Sequence, residues 1–184
     1  MLTAEDGKQL IKLAKDTVKS FLDKKPIQVP EKTEKKYGQK RGVFVCIKKG
    51  TQLRGCIGYI EPTHPIWWAV VNAAKGAAFE DPRFPPTSSN EMPNIKFEIS
   101  VLTEPKLMEC KPSERLNHIK IGKHGLIAER EHYKGLLLPQ VFTEMKVNAE
   151  SALNMTCEKA GLPSRAWEEQ DTDIYTFECQ VFKE

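Results

Sequence analysis

The stretch Val43-Phe44-Val45-Cys46-Ile47-Lys48-Lys49-Gly50-Thr51-Gln52-Leu53-Arg54-Gly55-Cys56-Ile57-Gly58 decides how this chain is read. Its first five residues are β-branched, aromatic or small and apolar, the signature of a buried strand. Lys48 to Thr51 turn the chain, and Leu53 to Ile60 return as a hairpin partner. Two glycines flank a cysteine in the return strand. Glycine weakens a strand, so Gly55 and Gly58 signal a bulge or the close approach of another backbone. Counted at period two, Arg54 and Cys56 point to one face, with Gly58 leaving space beside them. A guanidinium next to a thiol favours the thiolate, which suits Cys56 as a nucleophile. The same spacing also fits a small residue in a tightly packed strand crossing, with the glycines serving packing alone.

Before this hairpin, Leu10, Ile11, Ala14, Val18, Phe21 and Leu22 recur at helical spacing, with Thr3 as cap and Asp6 three residues on. Pro26 ends that helix, and residues 26–41 read as an exposed polar linker. After the hairpin, Ile66, Trp67, Val70, Val71, Ala74 and Ala78 mark a second helix. Asp81-Pro82-Arg83-Phe84-Pro85-Pro86 is a loop stiffened by three prolines, and Ser88 with Glu91 caps a short helical turn. Ile95, Phe97, Ile99 and Val101 alternate with Lys96, Glu98 and Ser100, which predicts a half-buried strand. Short antiparallel strands are expected over Ile119 to Leu138. A helix follows through Ala160 with Gly161 at its C′ position, and a last strand runs over Tyr175, Phe177, Cys179 and Val181. Helices and antiparallel hairpins without βαβ alternation give an α+β fold.

With 184 residues, 40% of them apolar, the chain is long enough to bury a core without a disulfide or a metal. No apolar run is long enough for a transmembrane helix, and the N-terminal residues lack a secretory signal, so a soluble cytoplasmic protein is expected. Net charge is +3, but residues 1–54 hold 14 of the 28 Lys/Arg and only 6 of the 25 Asp/Glu. The excess is mostly lysine, with no aromatic interleaving and no nucleic-acid motif, so it reads as a solvated surface and not as an RNA site. Cysteines stand at 46, 56, 110, 157 and 179, without a C-x-x-C pair or a mixed Cys/His zinc spacing. No metal and no cofactor are expected. Free thiols are expected, with Cys46 a small hydrophobe in an apolar run.

The hexapeptide Leu53-Arg54-Gly55-Cys56-Ile57-Gly58 resembles the hallmark of the AMMECR family. The likeness continues through Gly42-Val43-Phe44-Val45, through Ala78 to Pro86, and through Ile99-Ser100-Val101-Leu102. It extends to Ile121-Gly122-Lys123-His124-Gly125, Leu137-Leu138-Pro139-Gln140-Val141 and Lys159-Ala160-Gly161-Leu162. Tyr59 departs from it, since a small or hydroxyl residue is commoner there. The resemblance implies two unequal lobes. The larger is an antiparallel sheet with flanking helices built from both chain ends. The smaller is a short antiparallel sheet, expected near residues 106–140. It implies no established activity. Association of some microbial relatives with Memo-like and radical-SAM proteins implies a shared pathway without defining a reaction.

Two functions are compatible with these residues. The first is a cysteine-dependent enzyme on a small anionic metabolite. Cys56 would be its nucleophile, Arg54, Gly55, Gly58 and Arg83 would surround the substrate, and His124 would serve as acid or base. Against these roles, Arg83 could simply pin its loop through Asp81 or Glu80, and His124 could be a surface-turn histidine. The second function is a non-catalytic module whose groove beside the same motif docks a protein partner of Memo-like or radical-SAM type. The enzyme requires Arg54, Cys56, Arg83 and His124 to converge in space.

Overall fold

A computed structural model describes all 184 residues. The chain divides into two compact units, one formed by Met1–Leu102 with Gln180–Glu184 and the other by Thr103–Cys179. The architecture is α+β with antiparallel strand pairing and flanking helices. No helix is long and apolar enough to cross a membrane.

In the first unit, helix α1 (Ala4–Leu22) begins at the expected box: the Asp6 N–H donates to the Thr3 hydroxyl, and the Asp6 carboxylate accepts from the Thr3 N–H. Leu10, Ala14 and Val18 are fully buried, whereas Phe21 is exposed and stacks on Phe79 at 4.4 Å. Residues 26–41 are less of a linker than the composition predicts. Helix α2 (Glu31–Lys36) forms within them, and Tyr37 is buried with its hydroxyl 2.8 Å from Gln9 Oε1 and 3.1 Å from Asp6 Oδ1. An aromatic ring with a satisfied hydroxyl anchors a segment that its charges alone would leave in solvent.

Strands β1 (Val43–Lys49) and β2 (Gln52–Tyr59) form the predicted hairpin, and β3 (Ile95–Leu102) pairs with β1 on its other side. Val43, Val45 and Ile47 are fully buried against the helical face, while Phe44, Cys46 and Lys48 take the opposite, outer face. Helix α3 (Ile66–Phe79) packs on β1 and β2, and its Ala69, Ala73, Ala74 and Ala77 are all shielded from solvent. Small residues let it come very close: a Cβ on Gly55 would lie 1.9 Å from the Ala77 carbonyl oxygen. Every residue of β3 except Lys96 is buried, Glu98 and Ser100 included, although the alternation predicts solvent on their face.

The second unit pairs β5 (His124–Arg130) with β6 (Tyr133–Leu137) on one side and with β7 (Asp173–Lys183) on the other, and β7 also takes the short β4 (Lys106–Leu107). The strand β7 begins in this unit and ends in the first. Helix α4 (Arg115–His118) carries Arg115 into the interior, where it donates to the carbonyls of Trp167, Glu169 and Thr172. Helices α5 (Pro139–Glu144) and α6 (Ala149–Lys159) add Phe142, Leu153 and Cys157 to the core. Gly161 closes α6 at φ +80°, with the Leu162 N–H bonded to the Cys157 carbonyl as the glycine predicts. The span 106–140 falls inside this unit, which also takes in α6 and the first part of β7.

Candidate thiol site on the β1–β2 hairpin

The hairpin turns between Lys49 and Gln52, which pair, as do Lys48 and Leu53. A regular ladder from there would oppose Cys46 to Gly55. Instead the register shifts at Arg54, which has no partner on β1, and Ile47 pairs with Gly55 and Cys46 with Cys56. One extra residue in β2 is a β-bulge, and a one-residue shift exchanges the faces of everything beyond it. The bulge therefore turns Cys56 to the outer face, directly across from Cys46.

The two cysteines are disulfide-linked, with Cα atoms 4.1 Å apart. This is the short spacing of a non-hydrogen-bonded antiparallel pair. It agrees with the Cys56 N–H, which turns away from β1. Free thiols remain only at Cys110, Cys157 and Cys179. The expectation that all five cysteines are free thiols, and that Cys46 is a buried hydrophobe, is corrected here. Val45 and Ile47 point into the core, so the residue between them cannot.

β2 is the edge of its sheet, and its outward-facing backbone at Cys56 is capped by the proline-stiffened loop. The Cys56 N–H donates to Asp81 Oδ2 at 2.9 Å, and Arg83 Nη2 donates to the Cys56 carbonyl at 3.2 Å. Asp81 and Arg83 thus take the place of a neighbouring strand. They are joined to each other by Arg83 Nε to Asp81 Oδ1 at 2.9 Å and Arg83 Nη2 to Oδ2 at 2.7 Å. The Asp81 side chain is 2% exposed and that of Arg83 55%. Hydrogen bonding from Arg83 holds the Asp81 carboxyl well below the usual range, reinforced by the Cys56 N–H.

Arg54 is engaged elsewhere. Its Nε and Nη2 donate to the two oxygens of Glu91 at 2.9 and 3.2 Å, and Glu91 also accepts the Ser88 N–H at 3.0 Å. The Arg54 bonds, then those from Ser88, lower the Glu91 pKa to about 2. The period-two count that puts Arg54 on the face of Cys56 fails at the bulge, and the guanidinium charge is matched by a carboxylate instead of a thiol. Gly55 and Gly58 both act by omission. A Cβ at Gly58 would lie 2.4 Å from the Phe44 ring, so neither glycine can carry a side chain without displacing its neighbours.

Arg83 and Cys56 are therefore brought together, and Arg54 is pinned nearby in sequence but paired to Glu91. His124 belongs to the other unit. It lines a cavity of about 330 Å³ there with Cys110 and His118, and its Nδ1 accepts the Lys120 N–H at 3.3 Å. Burial, then the Lys123 ammonium, lowers the imidazole pKa. Cys110 is the cysteine that lines this cavity with it.

Two residues of the site were not anticipated. Cys46 was hidden because its register depends on the bulge. Glu98 lies directly across β1 from Cys46, so Cys56, Cys46 and Glu98 form one row over three strands. Its carboxylate is almost buried and holds Lys48 Nζ at 3.0 Å and Lys183 Nζ at 3.5 Å. No group of side chains is placed to hold a metal ion.

Comparison with known proteins agrees with this fold over the whole chain. Protein NEQ441 of Nanoarchaeum equitans is 46% identical over 177 residues, covering 95% of this chain and 98% of that protein. Protein PYRAB00100 of Pyrococcus abyssi is 44% identical over 186 residues, covering 98% and 91%. The crystal structure of the uncharacterized protein PH0010 from Pyrococcus horikoshii superposes with a TM-score of 0.91 at 42% identity, over 97% of this chain and 91% of that one. The family model described as AMMECR1 matches residues 11–182, and the chain belongs to that family.

Proposed function

We propose that this AMMECR1-family protein is a cysteine-dependent enzyme that exchanges thiols and disulfides with a small anionic substrate, with Cys56 as nucleophile and Cys46 as resolving cysteine. The observation that carries this reading is the direct opposition of Cys46 and Cys56 on the outer face. In the reduced pair, the Cys56 thiolate attacks one sulfur of a substrate disulfide and expels the first thiolate. Cys46 then attacks Cys56 Sγ, expels the second thiolate and closes the Cys46–Cys56 bond. Two electrons pass to the substrate, and the two cysteine protons end on the released thiols. An external low-molecular-weight thiol or dithiol returns the pair to its reduced form. Cys56 takes the attacking role because it lies on the edge strand, with its backbone fixed by Asp81 and Arg83, whereas Cys46 lies between two strands.

The second reading is a docking groove at the end of the hairpin, beside the motif, for a protein of Memo-like or radical-SAM type. It is favoured by the aromatic stack just past β2, where the His64 ring lies 3.9 Å from that of Trp68 and Tyr59 lies 5.5 Å from the latter. One experiment separates the two. The reduced native protein is treated with the chromogenic disulfide dithiobis(nitrobenzoate), and each cysteine is followed by mass spectrometry. Exchange at Cys56 should release two nitrothiolates and close the pair in the wild type. Cys46→Ser should release one there and retain the mixed disulfide on Cys56. If Cys56 stays unmodified until the protein unfolds, catalysis by the pair is excluded and docking is the function to pursue.

A further inference from the structure

Besides Arg54 and Arg83, each paired with a carboxylate, the cations near the cysteine pair are lysines, and their arrangement is electrostatically unfavourable without an anion. On the outer face, Lys48 follows Cys46 by two residues on β1, a step of about 7 Å along a strand. Lys96 stands directly opposite Lys48 on β3. Like charges directly opposed in an antiparallel pair are destabilising. Lys183 reaches the same place from β7, since it shares the Glu98 carboxylate with Lys48. Lys96 makes no ion pair. Glu184 does not neutralise it either, because that carboxylate is held by Lys15 and by the Phe97 N–H. Three ammonium groups thus border a cavity of about 110 Å³ that two carboxylates also line, Glu98 shared by Lys48 and Lys183 and Glu184 already paired with Lys15.

We propose that Lys48, Lys96 and Lys183 form an anion-recognition subsite beside the Cys46–Cys56 pair, which directs a carboxylate-bearing low-molecular-weight disulfide onto Cys56. The inference rests on the thiol-exchange reading and supplies what that reading lacks. Arg54 and Arg83, the cations expected to hold the substrate, are each matched by a carboxylate. Glu98 keeps Lys48 and Lys183 in place while leaving a net positive charge. Lys96 is the member free to meet the incoming ligand. Lys96 stands two strands across and two residues along from Cys56, about 12 Å between backbone positions, a gap that its long side chain shortens.

The test compares two disulfides on the reduced full chain at low ionic strength. Dithiobis(nitrobenzoate) is a dianion and 4,4′-dithiodipyridine is neutral. The readout is the ratio of their rates at Cys56, resolved by mass spectrometry. Charge steering predicts that Lys96→Gln lowers this ratio about threefold and Lys96→Glu about tenfold, and that raising the salt lowers it in the wild type. Lys8→Gln, on the solvent side of α1, should leave the ratio where it was. If Cys56 exchanges with both reagents but the ratio ignores Lys96 and salt, the subsite is refuted while the thiol chemistry stands. If Cys56 exchanges with neither, both readings fall together.

Discussion

The residue that organises the hairpin has no partner in it. Arg54 is inserted into β2, and that single insertion moves Cys56 from facing the core to facing Cys46. Gly55 makes the insertion possible, because the bulged strand is pressed against α3 with the Ala77 carbonyl where a side chain would begin. Backbone cannot yield as the end of a flexible side chain can. Gly55→Ala is therefore expected to cost about 3 kcal/mol or more, seen as a lower urea midpoint. If Gly55→Ala unfolds at the wild-type midpoint, α3 does not lie on the strand as described. The glycines announced both features in the sequence, a bulge and a close approach. They could not say which cysteine would be met across the strand. That depends on where the extra residue enters, and a shift of one would have given Cys46 a glycine instead.

At the scale of elements, the segment from Asp81 to Glu91 is a clasp that closes on the edge strand through the bonds of Asp81 and Arg83 to the Cys56 backbone and through the Arg54–Glu91 pair. Asp81 holds Arg83 and the Cys56 N–H, and Glu91 holds Arg54 and the Ser88 N–H. Both carboxyls have folded-state pKa values below their unfolded ones, Glu91 at about 2 against 4.5. A depressed acid pKa contributes stability above the unfolded value and loses it as pH falls towards the folded one. The Arg54–Glu91 half of the clasp should therefore be fully formed above about pH 4.5 and weaken between there and about pH 2, while Asp81 holds its partners to lower pH. Glu91→Gln should lower stability at neutral pH and flatten this acid limb in urea melts taken across the window. An unchanged slope would mean that Arg54 and Glu91 are not paired in solution. The prolines, Arg83 and the Ser88–Glu91 box were all legible in the sequence, as was Asp81 as a partner for Arg83. Glu91 as the partner of Arg54 was not, since the two lie on different elements and only folding brings them together. The burial of Glu98 was hidden for a related reason. Alternation along Ile95–Val101 reports a polar face, but whether water reaches that face is decided by what the fold packs over it. His124 was legible as a candidate acid or base, but it lies in the other unit, where it lines a cavity together with Cys110 and His118.

At the scale of the whole molecule, the larger unit is assembled from two segments distant in sequence. The first 102 residues supply α1, α2, the β1–β2 hairpin, α3 and β3, and Gln180–Glu184 return to complete it. What the returning segment contributes can be named. Gln180 Oε1 accepts the Leu2 N–H at 3.0 Å, and its Nε2 donates to the Leu2 carbonyl at the same distance. The Glu184 N–H donates to the Phe97 carbonyl at 3.2 Å, and the Glu184 carboxylate pairs with Lys15. The Phe182 ring lies where a side chain on Gly7 would be, so helix and strand meet through a ring set onto bare backbone. The helix thus depends on residues that follow it by more than 150 positions, and local capping at Thr3 is only part of what holds it. Phe182→Ala should cost about 2 kcal/mol, less than a fully buried phenylalanine because the ring is half-buried. The loss should be local in its signature. Amide exchange should accelerate along α1, most at its first two turns, while the amides shared by β5 and β6 keep their protection. Equal acceleration in both places would show that the two units open as one cooperative body, and that the returning segment serves the whole chain and not the larger unit alone.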